Sequence, residues 1–216
     1  MAHEIEAKFY VQHPEDLERR IEFLGAKSGE GRVYERNLRF DTPGRNLKRA
    51  GRVLRLRQDN AARITYKEGS SFQGGALSRR EVEFSVSDFE AAQEFIEALG
   101  YEVAFSYEKY RTTYKWNNIE IMVDEMPYGN FVEIEGDSSA LKSTAEKLGL
   151  DWGTSIPESY STLFDNLSAR LRLDFRDLTF DNFRAVRVTA SDLGVRPADV
   201  LDTVEFGQAK LAQRWG

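Results

Sequence analysis

The strongest constraint on this chain lies in its first nine residues, where Glu4, Glu6 and Lys8 alternate with Ile5, Ala7 and Phe9. Successive side chains of an extended strand point to opposite faces, so this segment sets two carboxylates and an ammonium against three apolar groups. The pattern returns in Arg55 and Arg57 beside Leu54 and Leu56, in Glu81 and Glu83 around Val82 and Phe84, and in Glu133 and Glu135 around Val132 and Ile134. One such strand is usually a solvated surface. Several leave two choices: an open antiparallel sheet with helices on one side and water on the other, or charged faces that share one interior. Acidic pairs and basic pairs fall on separate strands, which favours a closed lumen across which they meet.

Strand-like runs cover about Val33–Asp41, Arg52–Gln58, Arg63–Lys67, Arg79–Val86, Tyr107–Trp116, Ile119–Glu125 and Asn130–Gly136, which with the first makes about eight. Between them the spacing predicts helices. One has Pro14 in its first turn and a Leu17, Ile21, Leu24 stripe closed by Gly25; a second starts at Ser87 with Glu90 in capping-box position and ends at Gly100; a third spans Ser139 to Leu148. The class is therefore α+β. Glu4-Ile-Glu6, a helix, Leu24-Gly25 and a strand from Tyr34 are echoed by Glu81-Val-Glu83, a helix, Leu99-Gly100 and a strand from Tyr107. This echo points to duplication and predicts the two Glu-x-Glu strands on opposite walls.

Composition narrows the function. With 216 residues and 41% apolar content the chain can bury a substantial core, and no apolar run is long enough to span a bilayer. No charged-then-apolar leader opens it, so a soluble, cytoplasmic protein with no membrane partner is expected. The absence of cysteine excludes disulfides and thiolate ligands, and the net charge of −6 argues against a nucleic-acid binder. Any anion site is local. His3 and His13, one near the chain start and one before a helix, are given no catalytic role.

By strand parity the charged face collects Glu4, Glu6, Lys8, Arg39, Arg55, Arg57, Lys67, Arg79, Glu81, Glu83, Lys109, Arg111, Asp124, Glu133 and Glu135. Carboxylate pairs are the hard oxygen ligands that Mg²⁺ or Mn²⁺ prefers, while Arg forks and Lys point charges grip phosphate oxygens. A polyphosphate with its metal ions needs both.

In that order, with Phe40-Asp41-Thr42-Pro43 and Ser159-Tyr160-x-x-Leu163, these residues resemble the CYTH family of triphosphate tunnel metalloenzymes over about Met1 to Leu167. The resemblance implies a closed eight-stranded antiparallel β-barrel with a charged tunnel and helices packed outside. It also implies a triphosphatase acting on inorganic triphosphate or thiamine triphosphate, or a class IV adenylyl cyclase acting on ATP. Glu4, Glu6, Asp124, Glu133 and Glu135, joined by Glu81 and Glu83, match the metal side. Lys8, Arg55, Arg57, Lys67, Lys109 and Arg111 match the phosphate side, with Arg39 and Arg79 added by parity. Lys8 and Lys109 are the catalytic candidates. Arg39 departs from the pattern, because the family often has an aromatic residue before Phe-Asp-Thr-Pro; it is either an extra tunnel cation or an exposed residue at a strand end.

Residues 168–216 lie beyond the family core as a C-terminal extension, with a helix expected near Pro197 carrying Val200, Val204, Leu211 and Trp215 on one side. Packing on its own barrel, a dimer contact and a lid over one tunnel mouth are all open to it, and the chain is a monomer or homodimer. Three functions follow: metal-dependent hydrolysis of a terminal phosphate, cyclisation of ATP to cyclic AMP and pyrophosphate, or non-enzymatic polyphosphate binding.

Overall fold

Alternating polarity along the chain closes on itself. The computed structural model describes residues 3–199, with side chains from Ile5 onward. Its strands are β1 (His3–Val11), β2 (Lys27–Asp41), β3 (Val53–Gln58), β4 (Ala62–Gln73), β5 (Ala76–Val86), β6 (Glu102–Trp116), β7 (Ile119–Met126) and β8 (Gly129–Glu135). They form one antiparallel barrel in the order β1-β5-β4-β3-β2-β6-β7-β8, closed by the β1–β8 ladder. Closure leaves no sheet edge and gives every strand an inner and an outer face.

The outer apolar residues are buried under helices. α1 (Pro14–Phe23) and α4 (Ser138–Lys147) bring Leu17, Ile21, Leu141 and Ala145 onto Phe9, Val11, Val132 and Ile134. α3 (Phe89–Ala98) sets Phe89, Ala92 and Ile96 on Leu38, Phe40 and Leu56. A four-residue helix, α2 (Asn46–Arg49), follows the Phe-Asp-Thr-Pro turn, where the Asp41 carboxylate accepts from the backbone N–H groups of Thr42, Leu47 and Lys48. α5 (Tyr160–Leu171), which the sequence reading did not delimit, packs Leu163, Phe164 and Leu167 on Tyr128, Phe131 and Leu178.

Several expectations need correction. The strands run further than the pattern suggested: β2 and β6 have 15 residues each, and β4 continues to Gln73 through a bulge after Glu68 at Gly69, whose φ is +66°. Glycine and serine in those ends read as loop, yet the ladder carries them. The α3 cap is Asp88, which accepts from Ala91 N at 2.8 Å, one residue after Ser87. The two Glu-x-Glu strands are not on opposite walls, since β1 pairs directly with β5 through Glu6 and Leu77. Nor are all outward apolar residues covered by helices: Leu56 is sealed, but Val82 and Phe84 are 43% and 54% exposed. α3 and α4 lie over β3, β6, β1 and β8, so the outer side of β5 faces water at these positions.

After α5, residues 172–199 follow a largely irregular path with one short helix, α6 (Ala190–Leu193). Leu178 exchanges backbone bonds with Ser106 and Glu108 on β6, Ala198 N donates to Tyr10 O, and the Asp199 carboxylate accepts from Gln12 N and His13 N. This stretch is thus strapped to the barrel. The helix expected with Val200, Val204, Leu211 and Trp215 lies outside the described residues. Among the described residues no helix is long and apolar enough to cross a membrane.

Candidate functional site

The barrel interior holds a cavity of about 1060 Å³ whose wall is built from the charged parity of the strands. From β1 come Glu6 and Lys8, from β3 Arg55 and Arg57, and from β4 Lys67. From β5 come Arg79, Glu81 and Glu83, from β6 Lys109 and Arg111, and from β8 Glu133 and Glu135. Glu4 sits in register with Arg79 at the start of β1; its side chain lies outside the described set. Arg39 lines the same cavity and is not an exposed strand end.

Asp124 is set apart from the other predicted metal-side groups. It is fully buried and accepts from Arg111 Nε and Nη2, both at 2.6 Å, from Lys109 Nζ at 3.0 Å and from the Tyr160 hydroxyl at 2.7 Å. In this geometry it is a strut that aims two cations. Arg111 Nη2 also reaches Glu133 at 2.5 Å, and Lys8 Nζ stands 3.4 Å from the same carboxylate. Burial opposes the charge on Glu133, but Lys8, Arg111 and Lys109 together hold it well below the usual carboxylate range. Lys8 also donates to the Glu158 carbonyl and lies 4.2 Å above the Tyr160 ring.

Elsewhere the cations and carboxylates neutralise one another between nearby strands. Arg79 binds Glu6 at 2.5 Å, Lys67 binds Glu81 at 2.7 Å, and Arg57 and Arg55 reach Glu83 at 3.3 and 3.6 Å. Burial alone would lower Arg55, but neighbouring acidic groups, Tyr107 first, raise it, and it stays charged.

Of the wall residues that the strand parity did not point to, Glu35, Tyr107 and Tyr160 bear most on the charges of the site. Glu35 on β2 is buried 3.6 Å from Lys109 and 3.9 Å from both Arg57 and Arg111. Its burial would raise the carboxyl, yet these cations pull it down to about 2. It shares the parity of Arg39, but Tyr34 and Arg36 beside it hide the alternation. Tyr107 lies against Arg55, which donates to its hydroxyl at 3.4 Å. Tyr160 enters from the first turn of α5, capped by Ser159; burial, then Asp124 and Glu133, push its phenol well up, so it acts as a donor. The motif around Tyr160 was visible, its entry into the barrel was not.

The donor chemistry fits a hard divalent ion. Glu6 and Glu135 are directly opposite on β1 and β8, and Glu120 faces Glu135 from β7, so three acidic residues are in register across neighbouring strands, with Glu6 held by Arg79 and Glu120 by Lys115 at 3.1 Å. Among the described residues no three carboxylate or imidazole groups already form a cage. Glu6 is drawn to Arg79, and Glu133 to Arg111 and Lys8. A metal held by Glu6, Glu133 and Glu135 would free Arg79 and Lys8 for phosphate, while Arg111 keeps its bonds to Asp124.

The fold and sequence have relatives. The structure of the PH1012 protein from Pyrococcus horikoshii superposes with a TM-score of 0.63 at 32% identity, covering 73% of this chain and 96% of that one. A candidate adenylate cyclase of Methanocaldococcus jannaschii, MJ0240, is 24% identical over 81% of this chain and 99% of its own length. HpAC1 from Hippeastrum, described as a candidate adenylyl cyclase with a dominant triphosphatase activity, has the same fold at 18% identity, with a TM-score of 0.60 over 75% of this chain and 95% of that one. Residues 2–160, the span that carries the whole barrel and its charged lining, match the CYTH domain model, and the chain belongs to the CYTH family.

Proposed function

We propose that this protein is a metal-dependent triphosphatase that removes the terminal phosphate of inorganic or organic triphosphate inside the barrel. CYTH enzymes act on triphosphates and generally use divalent metals. The observation that carries the hydrolytic reading is the character of the cavity wall, where guanidiniums, ammoniums and carboxylates interleave and both aromatic rings are already engaged. Tyr107 stacks on Phe105 with ring centroids 5.6 Å apart and meets Arg55, and Tyr160 lies under Lys8. That leaves poor provision for stacking a nucleobase, which a cyclase needs.

Arg55, Arg57 and Lys67 grip phosphoryl oxygens, and Arg79, paired with Glu6, lies on the same wall. Lys109 and Arg111, aimed by Asp124, face the charge that develops on the transferred phosphoryl group. Lys8, near Glu133, orients the attacking water. Glu6, Glu133 and Glu135, with Glu4, Glu81 and Glu83 around them, would hold Mg²⁺ or Mn²⁺, which would supply charge neutralisation of the phosphate chain. A cytoplasmic location belongs to the same reading, as does a core of 1–167 with an appended C-terminal segment.

The test is direct. Purified protein is incubated with triphosphate, thiamine triphosphate or ATP and either metal, and phosphate, pyrophosphate and cyclic AMP are separated. Phosphate release from triphosphate is expected to exceed cyclic AMP formation from ATP at least tenfold. Cyclic AMP as the dominant product overturns the proposal in favour of cyclisation, and binding without turnover reduces it to a sensor.

A further inference from the structure

Arg39 and Arg55 are directly opposite in the β2–β3 ladder, both on the inner face. Like charges in that position repel. Arg55 is partly neutralised by Glu83, but among the described residues no carboxylate lies within ion-pair distance of Arg39. The Arg39 guanidinium donates to the Ser161 hydroxyl, and Ser161 in turn exchanges a hydrogen bond with Ser159 at 2.9 Å. The acid that acts on it, Asp165, is held by Lys48 Nζ at 2.7 Å. Arg55 Nε, on the same pair, is buried without a hydrogen-bond partner. Burial disfavours the charge on Arg39; Tyr107 and Asp165 oppose this, but the fields of Arg55 and Arg79 add to it and the guanidinium is lowered from its usual range. Arg57 Nε is likewise without a hydrogen-bond partner, but Arg57 meets Glu83 and Asp59; among the described residues it is at Arg39 and Arg55 that an excess of cation coincides with an unused donor.

We infer that Arg39, Ser161 and the unused Nε edge of Arg55, whose Nη groups serve the triphosphate itself, form an additional anion subsite that takes a phosphoryl group beyond the third, so that the tunnel prefers linear inorganic phosphate chains of four units to triphosphates. An organic triphosphate offers no charge at that place. A thiamine group brings a cation, which Arg39 repels, and a nucleoside brings a base whose burial against a guanidinium pair lacks the anion that would relieve it. A fourth phosphoryl group instead supplies oxygens for the Arg55 Nε donor and for the Arg39 fork, a charge-assisted contact that strengthens binding roughly tenfold or more.

This inference rests on the triphosphate reading of the cavity, and the experiment separates the two. Inorganic triphosphate and inorganic tetraphosphate are titrated calorimetrically into wild-type protein and Arg39→Gln, in EDTA and with Mg²⁺. The wild type is expected to bind tetraphosphate at least tenfold more tightly, and Arg39→Gln to bring the ratio of the two dissociation constants close to one. A wild-type ratio near one, or a variant that weakens both chains by the same factor, overturns the subsite while leaving the triphosphatase proposal standing. Binding of neither chain to the wild type overturns both. The wild-type ratio needs no variant, so poor folding of Arg39→Gln does not shield the inference.

Discussion

Replacing Asp124 with Asn is the sharpest test of how the interior is held together. The side chain keeps its shape and loses its charge. Four bonds now end on this carboxylate: two from Arg111 at 2.6 Å, one from Lys109 at 3.0 Å and one from the Tyr160 hydroxyl at 2.7 Å. An amide in its place offers one acceptor oxygen, and its NH₂ faces at least one of these donors. Buried cations deprived of their partner are costly because water cannot replace it, and breaking such a pair costs about 3–5 kcal/mol. Glu35 and Glu133 remain near Lys109 and Arg111, so the lower end, about 3 kcal/mol, is expected. For a chain of 216 residues this corresponds to a fall in Tm of roughly 6–12 °C.

The assay is thermal unfolding by circular dichroism at pH 7, with urea unfolding to confirm that the slope of the transition is unchanged. Tyr160→Phe, which removes only one of the four bonds, should cost less, about 1.5–3 kcal/mol for a hydrogen bond to a charged group. A drop below about 2 °C for Asp124→Asn refutes the strut assignment. It would mean that Arg111 and Lys109 are adequately neutralised by Glu133 and Glu35 alone.

Four further outcomes are expected. Glu133→Gln and Glu135→Gln should each lower triphosphate turnover at least about tenfold while the protein stays folded, and undiminished activity of Glu135→Gln across a Mg²⁺ titration would remove β8 from the metal side. Arg57→Lys should weaken triphosphate binding roughly ten- to a hundredfold with no rescue by added metal, as read by calorimetry, because an ammonium cannot restore a guanidinium fork. The carboxyl of Glu35 is lowered in the fold from 4.5 to about 2, so its contribution to stability is complete above pH 4.5 and lost as pH falls towards 2; Tm of Glu35→Gln should decline less steeply than wild type across that window. Phe84→Ser, at an outer position 54% exposed, should cost under about 1 kcal/mol in urea unfolding, whereas Leu56→Ala, fully buried, should cost about 2–5 kcal/mol.

Period-two alternation made the inner face legible because a barrel strand cannot change its parity without a bulge. Lys8, Arg57 and Glu133 could be placed from the sequence for that reason. The rule fails where the outer neighbours are not apolar. Glu35, between Tyr34 and Arg36, reads as part of a polar run, although its alternation with Arg39 is intact. It also fails for groups that enter from outside the sheet: Tyr160 reaches the cavity from a helix, and no strand pattern reports a helix end aimed at a barrel mouth. Parity gives direction but not depth or neighbours. Parity puts Asp124 on the inner face and the family resemblance matches it to the metal side, while its depth beside Arg111 and Tyr160 decides what it touches. Strand order is the other blind spot, since the echo between the Glu-x-Glu segments says nothing about which strands pair, and β1 proves to be the neighbour of β5.

The ion pairs of the wall differ in a way that bears on which cations can change partners. Arg111 and Lys109 are tied to Asp124, which is inaccessible to water, and moving either would strand a buried carboxylate. Arg55 and Arg57 meet Glu83 at 3.6 and 3.3 Å, and the Glu83 side chain is 30% exposed, so water can compensate it when its partners leave. Lys67 and Glu81 are less exposed, at 12% and 19%, but neither is sealed from water as Asp124 is. A phosphate chain with its metal presents to each side the charge that its present partner supplies. Exchange is therefore least costly on the β3–β4–β5 side, where both members of each pair are within reach of solvent. The side held by Asp124 should keep its geometry throughout, providing fixed charges towards which the incoming chain is drawn. If so, triphosphate should perturb the side-chain resonances of Arg55, Arg57 and Lys67 far more than those of Arg111 and Lys109, and equal perturbation on both sides would show that Asp124 yields its partners as readily as Glu83 does.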